Sequence, residues 1–394
     1  MAQSSVTLYG TLDIGAGNIA SSTNNAVVVT RSGAESSAND SSRWGMTGTE
    51  DLGGGMKTEF KIETGIGTNP RSGITSTSLG GNAAASYKDS ILANGTAGNA
   101  FTLDTTVLGD RELWVGATKG ALRVNAGFGV TAMRNLAVQT DAAQSNQVGN
   151  VIAHEVGNFR REGVRVDYTM GAFMVSGGVS GNRQNSTGVT GSVTTTGVPV
   201  GEIRNGKGWT LGGQYTQGPI NAGYFHDEAS AQTAATNGGT DNYGLPFVAA
   251  TAAAFTNKTF KTDLLAGSYN AGVATLYGQY YSQNAVINDS ALGTAGTDTS
   301  AGAGKIQGTS FGVRVPFGAL TAYAQSLSLK DKRVVTAGTA EDRKFTGSSF
   351  GVRYDLSKLT YAYVNTGKIH KDAGTANNNS YDLKQTAIGL VKSF

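Results

Sequence analysis

The chain has 394 residues, among them 57 glycines, 5 prolines and no cysteine; 15% are charged, 39% are hydrophobic, and the formal net charge is +3. A typical soluble domain carries roughly 25% charged residues, and a soluble chain short of apolar residues is usually rich in charge; a chain poor in both fits a wide barrel with an apolar outer band, a water-filled interior and long polar loops. Aperiodic glycine excludes collagen, the missing cysteine excludes a disulfide framework and thiolate metal sites, scattered basic residues give no support to nucleic-acid binding, and no stretch reaches the roughly 18–20 apolar residues of a membrane helix.

In chain order, "AQSSVTLYG" reads as the start of a mature exported chain, with no signal peptide, Ala2 left from a small-residue cleavage site and Met1 as an added start. Alternating segments follow at 4–19, 42–51, 55–67, 109–118, 121–130, 159–169, 172–183, 207–217, 220–229, 258–270, 272–284, 307–316, 319–331, 345–356, 359–370 and 381–394. That is about sixteen, each long enough to cross a bilayer as a tilted strand. The connections alternate in length. Short ones such as "DLGGG" (51–55), "KGA" (119–121), "MGA" (170–172) and "QGPI" (217–220) mostly carry the glycine that hairpin turns favour. Long ones lie at 20–41, 68–108, 131–158, 184–206, 230–257, 285–306, 332–344 and 371–380. No linker or change of composition divides the chain, so residues 1–394 are expected to form one unit. Short turns at one rim and long loops at the other predict an all-β fold, a 16-stranded antiparallel transmembrane β-barrel. For the most apolar window, 245–255 ("LPFVAATAAAF"), the expectation is a loop segment packed at the barrel mouth.

The hairpin "SRWGMTGTEDLGGGMKTEFKIE" (42–63) raises the question of which face looks inward. In a barrel of sixteen strands side chains cannot fill the interior, so the inner face meets water. Trp44, Met46, Phe60 and Ile62 are then expected to face lipid, and Arg43, Lys57, Glu59, Lys61 and Glu63 the lumen. For the interleaved Lys57, Glu59, Lys61 and Glu63 the favoured role is mutual pairing that stiffens the wall. Trp114, Trp209, Phe173, Phe311, Phe317, Phe350, Tyr354, Tyr361 and Phe394 sit mostly near segment ends, as interface girdles do.

The opening "SSVTLYGTLDIG", the glycine hairpin, "GVRVDY" (163–168) and the closing "TAIGLVKSF" together resemble the trimeric porins of Gram-negative bacteria, and most of all their β-proteobacterial branch. The resemblance runs from end to end. It implies a homotrimer in the outer membrane, in contact with its lipid and lipopolysaccharide, and passive passage of small hydrophilic solutes and ions. It also implies a third loop (131–158) folded inward to constrict each pore, and a terminal Phe394 read by the barrel-assembly machinery. In such porins loop carboxylates oppose a ladder of arginines. Asp141 and Glu155 are the carboxylates here, with Arg134 on the same loop. By parity Arg161, Arg165, Arg314 and Arg353 face the lumen, and Arg43 and Arg111 complete the wall. Two departures thin the ladder: Phe128 and Val391 stand where the family often has arginine. Mild anion preference is the expectation; the alternative is a substrate-specific channel for small organic anions. No cofactor or metal is implied. His154, His226 and His370 have no nucleophile at a recognised spacing, which argues against an enzyme.

Overall fold

Alternation of side-chain character along a strand becomes a difference between two faces of a sheet, and this chain applies that rule almost throughout. The computed structural model describes residues 4–23, 26–66, 109, 111–143, 148–149, 160–181, 208–234, 255–288, 304–332, 334–336, 339–340, 342–372 and 380–394. The strands are β1 (Ser4–Thr23), β2 (Ala26–Ser36), β3 (Arg43–Gly53), β4 (Met56–Gly65), β5 (Glu112–Lys119), β6 (Leu122–Val130), β7 (Arg160–Met170), β8 (Phe173–Ser180), β9 (Gly208–Gln217) and β10 (Ile220–Ala234). They continue as β11 (Phe255–Asn270), β12 (Thr275–Asn288), β13 (Gly304–Phe317), β14 (Leu320–Asp331), β15 (Val334–Thr336), β16 (Thr339–Ala340), β17 (Arg343–Ser357), β18 (Thr360–Lys371) and β19 (Tyr381–Ser393). One helix, α1 (Ala132–Gln139), lies between β6 and β7.

All strands except the small β15–β16 hairpin join one antiparallel sheet. β2 and β3 pair with successive stretches of one edge of β1, at Ile14↔Ser36 to Thr23↔Ala26 and at Ser4↔Glu50 to Thr11↔Arg43. Together they act as one strand of a closed 16-stranded barrel. Closure is between the first strand and the last, from Thr11↔Ser393 to Thr23↔Tyr381. The Gly10 and Phe394 backbones exchange two hydrogen bonds of 3.0 and 3.1 Å at its end. Among the described residues no helix is long and apolar enough to cross a membrane; the strands are what can.

The outer face carries the apolar residues. Val6, Leu8, Leu113, Val115, Val164, Phe311, Phe350, Val364 and Ile388 are exposed, Phe311 by 65%. Met46 and Ile62 stand in register with Leu8 on that side. Aromatic rings fill the gaps left by glycine in the neighbouring strand. Outside, Phe60 lies over Gly48 and Phe394 over Gly10; inside, Tyr9, Tyr323 and Tyr363 lie over Gly45, Gly351 and Gly389. The β3–β4 turn runs through Gly53, Gly54 and Gly55, all at positive φ (81°, 61° and 74°), a conformation side chains resist.

Every expected strand is present within a few residues of its place. Four expectations need correction. The segment 20–41 is not a long loop: β1 continues through it and pairs with β2, because a strand that has left the membrane no longer needs apolar alternation to persist. The same holds for β10–β13, which extend into the expected loops 230–257 and 285–306, and β15–β16 form within 332–344. Trp114 and Tyr361, expected in outer girdles, point inward: Trp114 donates to Glu112, and Asn39 donates to the Tyr361 hydroxyl. Phe311 and Phe350 are exposed in mid-strand rather than at strand ends. Finally, the interior is not uniformly polar. Met133, Leu136, Val148, Phe225, Leu264, Tyr281, Ile306, Leu329, Phe345 and Ile369 form a buried cluster. Met1, Ala2, the loops at 68–108 and 184–206, and residues 245–254 of the apolar window lie outside the described residues; Phe255 of that window begins β11.

Candidate functional site

Two arrangements of charge occupy the inner face. The first is a set of self-contained ion pairs. Arg161 binds the buried Asp227, which also accepts from Thr210. Arg165 donates to Asp167 at 2.8 Å and to the Val130 carbonyl at 3.3 Å. Arg123 grips Glu59 through two bonds of 2.8 and 2.9 Å and stands 5.1 Å from the Trp114 ring. Arg353 reaches Asp355 at 2.5 Å and covers the Tyr361 ring at 3.8 Å. Each of these cations has a dedicated carboxylate, which cancels most of its far field.

The second arrangement is a crowd. Arg43 contacts Asp40 at 3.0 Å and Glu63 at 3.8 Å. The buried Arg111 holds Glu63 at 2.7 Å. Lys61 bridges Glu112 at 2.6 Å and Glu63 at 3.5 Å. Tyr9 donates to Glu63 at 2.9 Å. Arg134, on α1, and the buried Arg160 lie within electrostatic reach of Arg111, Glu112 and Glu63. For Arg134, burial first and the Arg111 charge second push the guanidinium pKa down to about 10. Among the described residues this crowd contains more cations than carboxylates. It adjoins a cavity of about 480 Å³ whose lining includes Tyr9, Lys61, Trp114, Arg123, Arg161 and Arg165.

Residues 131–143 and 148–149 lie against the inner face of the sheet. Thr131 caps α1 by accepting from the Arg134 amide at 3.3 Å, and Thr140 closes its other end on the Leu136 carbonyl. Met133, Leu136 and Ala137 pack with Phe225, Leu264 and Tyr281. Beyond the helix, Gln279 donates to the Ala137 carbonyl at 2.7 Å and Arg314 to the Ala142 carbonyl at 2.6 Å. The Ala143 amide donates to Gln325 at 2.9 Å and Ser349 to the Val148 carbonyl at 2.8 Å. These partners lie on β12, β13, β14 and β17, on the faces opposite the exposed apolar residues. Glycines make the close approach possible. A Cβ at Gly223 would meet Leu136 at 3.0 Å, one at Gly347 would meet the Gly149 carbonyl at 2.7 Å, and ones at Gly312 and Gly367 would collide with Ala142 and Val148.

The sequence-derived candidates therefore divide. Arg43, Arg111 and Arg134 come together; Arg161, Arg165 and Arg353 are separately paired; Arg314 is tied to the Ala142 carbonyl. Asp141 is buried and accepts from the Ala143 amide at 3.1 Å. Glu155 and His154 lie outside the described residues. Lys61 and Glu59, expected to pair along their own strand, bind chiefly across to Glu112 and Arg123. Arg123 was legible by parity, since Leu122 and Val124 flank it. Arg160 was not: it shares the parity of the exposed Val164 and Val166, and only its position at the strand end brings it to the crowd. Phe128 stands in register with the exposed Leu113, and Val391 is buried beside Tyr361 and Tyr363. Among the described residues no cluster of three His, Cys, Asp or Glu side chains is placed to hold a metal ion.

Known proteins resemble the chain in sequence and in fold. An outer-membrane porin protein of Bordetella pertussis is 25% identical over 99% of this chain and 94% of its own length. The anion-selective porin from Comamonas acidovorans superposes with a TM-score of 0.61 at 18% identity, covering 100% of both chains. The trimer form of OmpT from Vibrio cholerae gives 0.62 at 13%, covering 99% of each. Fold and family point to a channel rather than an enzyme. The sequence family described as Gram-negative porin matches residues 1–374, and the chain belongs to it, as an outer-membrane β-barrel channel.

Proposed function

We propose that the chain is a general porin with mild anion preference, and that the preference originates at Arg43, Arg111, Arg134 and Arg160 rather than along a full arginine ladder. The observation that carries this reading is the convergence of these four guanidinium groups and Lys61 on three carboxylates, Asp40, Glu63 and Glu112, among the described residues, while Arg123, Arg161, Arg165 and Arg353 each sit on a separate carboxylate. Cations crowded at a narrow passage between low-dielectric walls focus their field into the water there. The segment 131–158 is the constriction, folded inward from the rim of long connections. Asp141, held by backbone, contributes structure rather than an opposing acidic wall. Residues 1–394 act as one barrel unit, three of which form a homotrimer, as the trimer form of OmpT suggests; lipid and lipopolysaccharide surround it, and small hydrophilic solutes pass through it. The long-connection rim faces outward from the cell and the tight turns face the periplasm.

Reversal potential across a planar bilayer under a KCl gradient tests the proposal. Stepwise conductance with chloride preference is expected, and neutralising Arg134 should reduce that preference more than neutralising Arg353. Cation preference, or a dominant effect at Arg353, overturns it. A channel specific for small organic anions would instead show conductance blocked by millimolar carboxylates. The cavity beside Arg123 and Trp114 is where such block would act.

A further inference from the structure

The first strand of the barrel is paired along one edge by two strands with a break between them. Ile14 faces Ser36 and Thr11 faces Arg43, so residues 37–42 stand opposite just Leu12 and Asp13 of β1. The surplus chain leaves the sheet at Ser37, where φ is 60°. Its partners show that it turns inward. The Asn39 and Asp40 amides donate to the Asp13 carboxylate, and the Asn39 side chain donates to the Tyr361 hydroxyl at 3.0 Å. Asn365 donates to the Asn39 side-chain oxygen at 3.3 Å. Ala38 is buried with Tyr361, Tyr363, Ala387 and Val391. These partners alternate along β18 and β19 with the exposed Val364, Ile388 and Leu390, so they belong to the inner face. Residues 37–42 therefore cover the inner wall of β18, β19 and β1. They meet the other inward segment on β18: Asn365 holds Asn39, and at Gly367, the next inward position, a Cβ would collide with Val148. The arginine crowd and the cavity of about 480 Å³ lie on the remaining arc of wall, chiefly β3–β8.

The insertion delivers one acidic group to that arc. Asp40 Oδ1 accepts from the Ser41 amide at 2.8 Å and from Arg43 at 3.0 Å. The carboxylates of the crowd differ in their access to water: the side chains of Glu63 and Glu112 are 6% and 10% exposed, that of Asp40 27%. Asp141, on the other inward segment, is buried. A carboxylate enclosed in the wall is neutralised by its cationic partner, whereas one at the water face also acts on a passing ion. We propose that residues 37–42 form a second constricting element and that Asp40 is the specificity-determining acid of the channel, capping Arg43 and holding down the chloride preference of the arginine crowd. The passage is then eccentric, bounded by two inward segments and open along β3–β8. The assignment rests on the porin reading above and adds the group that limits its anion preference.

The test uses the full chain refolded in detergent, with reversal potential read in a planar bilayer under a KCl gradient. Asp40→Asn keeps the Oδ1 acceptor and removes the charge. It should raise the chloride-to-potassium permeability ratio by roughly two- to fivefold, the effect of one partly screened charge at close range. Adding Arg43→Gln to that variant should return the ratio toward the native value. The chain has no cysteine, so a thiol placed on the insertion can be given a charge after the barrel has assembled. Ser41→Cys, with Asp40 intact, should lose chloride preference on reaction with a sulfonatoethyl methanethiosulfonate and gain it with the trimethylammonium reagent. Asp51→Cys, in the tight turn, should respond to neither. Opposite responses to opposite charges separate an electrostatic role from a packing one, and they keep the test decisive if Asp40→Asn does not refold. An unchanged ratio in Asp40→Asn, or equal responses of Ser41→Cys to both reagents, overturns the proposal. If Arg134→Gln still lowers chloride preference in that case, the porin reading stands without Asp40. A native chain that gives no stepwise conductance overturns both.

Discussion

Arg134 and Arg161 show how two inner arginines can differ in kind. Arg161 is joined to an aspartate that is itself buried, so its charge is spent locally. Replacing it with glutamine should lower unfolding stability by roughly 3–5 kcal/mol, because Asp227 would be left as a buried unpaired charge. Urea unfolding in detergent measures this, and the reversal potential should barely move. Arg134 shares its surroundings with Arg111, Glu112, Glu63 and Arg43, so its charge belongs to the crowd. Arg134→Gln should cut the chloride-to-potassium permeability ratio by roughly two- to fivefold, the effect of one partly screened charge at close range, with little loss of stability. Its pKa gives the sign of a pH dependence. The charge is present at neutral pH and is lost as pH rises through about 10, so chloride preference should decline there in the native channel and less so in Arg134→Gln. The folded value lies below the free one, so the folded barrel binds fewer protons than the unfolded chain above about 10, and the stability cost of that charge is relieved as pH rises. Parity in the sequence could place Arg161, Arg165, Arg314 and Arg353 on the inner face. Arg165 and Arg353 meet Asp167 and Asp355 two residues along their own strands, but parity could not show that Arg161 would meet Asp227, which arrives from another strand by a register that no local pattern encodes.

Among elements, strands were the most legible. Alternation is local, and lipid outside with water inside punishes a misplaced side chain at every second residue. Segments beyond the membrane escape that rule, which is why β2 and the ends of β10–β13 read as loop. The helix α1 was hidden for a related reason: its short "AMRNLAVQ" face is matched to Phe225, Leu264 and Tyr281, residues far away in sequence. The glycines beneath Leu136, Ala142, Val148 and Gly149 make the position of these residues testable. Gly367→Leu should leave an assembled barrel at a cost of about 1–3 kcal/mol for overpacking. It should lower single-channel conductance by pushing Val148 toward the axis. Conductance unchanged in a folded variant would show that the segment does not set the aperture. Gly54→Val provides the contrast: left-handed backbone with a Cβ costs about 1–2 kcal/mol, and conductance should stay native because the turn is remote from the arginine crowd.

For the whole molecule, the seam between β1 and β19 is where the barrel becomes a barrel. The Phe394 ring rests on Gly10 while half of it stays exposed. Phe394→Ala should therefore cost the purified barrel only about 1–2 kcal/mol, on the scale of a partly buried aromatic side chain. A much larger fall in the amount assembled in cells would assign the residue to recognition by the assembly machinery; equal losses in both settings would make its role one of packing. Fold, family and closure could be anticipated from the repeated pattern and the chain's last strand. The interior could not, because its apolar cluster is built from residues that share the inward parity of the charges.

The seam also sets an order of events. Asp13 on β1 accepts from the Asn39 and Asp40 amides at 2.7 and 2.8 Å and from the Tyr363 hydroxyl at 2.8 Å. The first two donors are made almost as soon as β1 is; the third is 350 residues away. One edge of β1 can therefore be satisfied early, while the other waits for nearly the entire chain to be synthesised. Until then the oldest strand is an open template for any other strand that passes. The delay between the two halves of Asp13's environment measures how long the polypeptide depends on an escort.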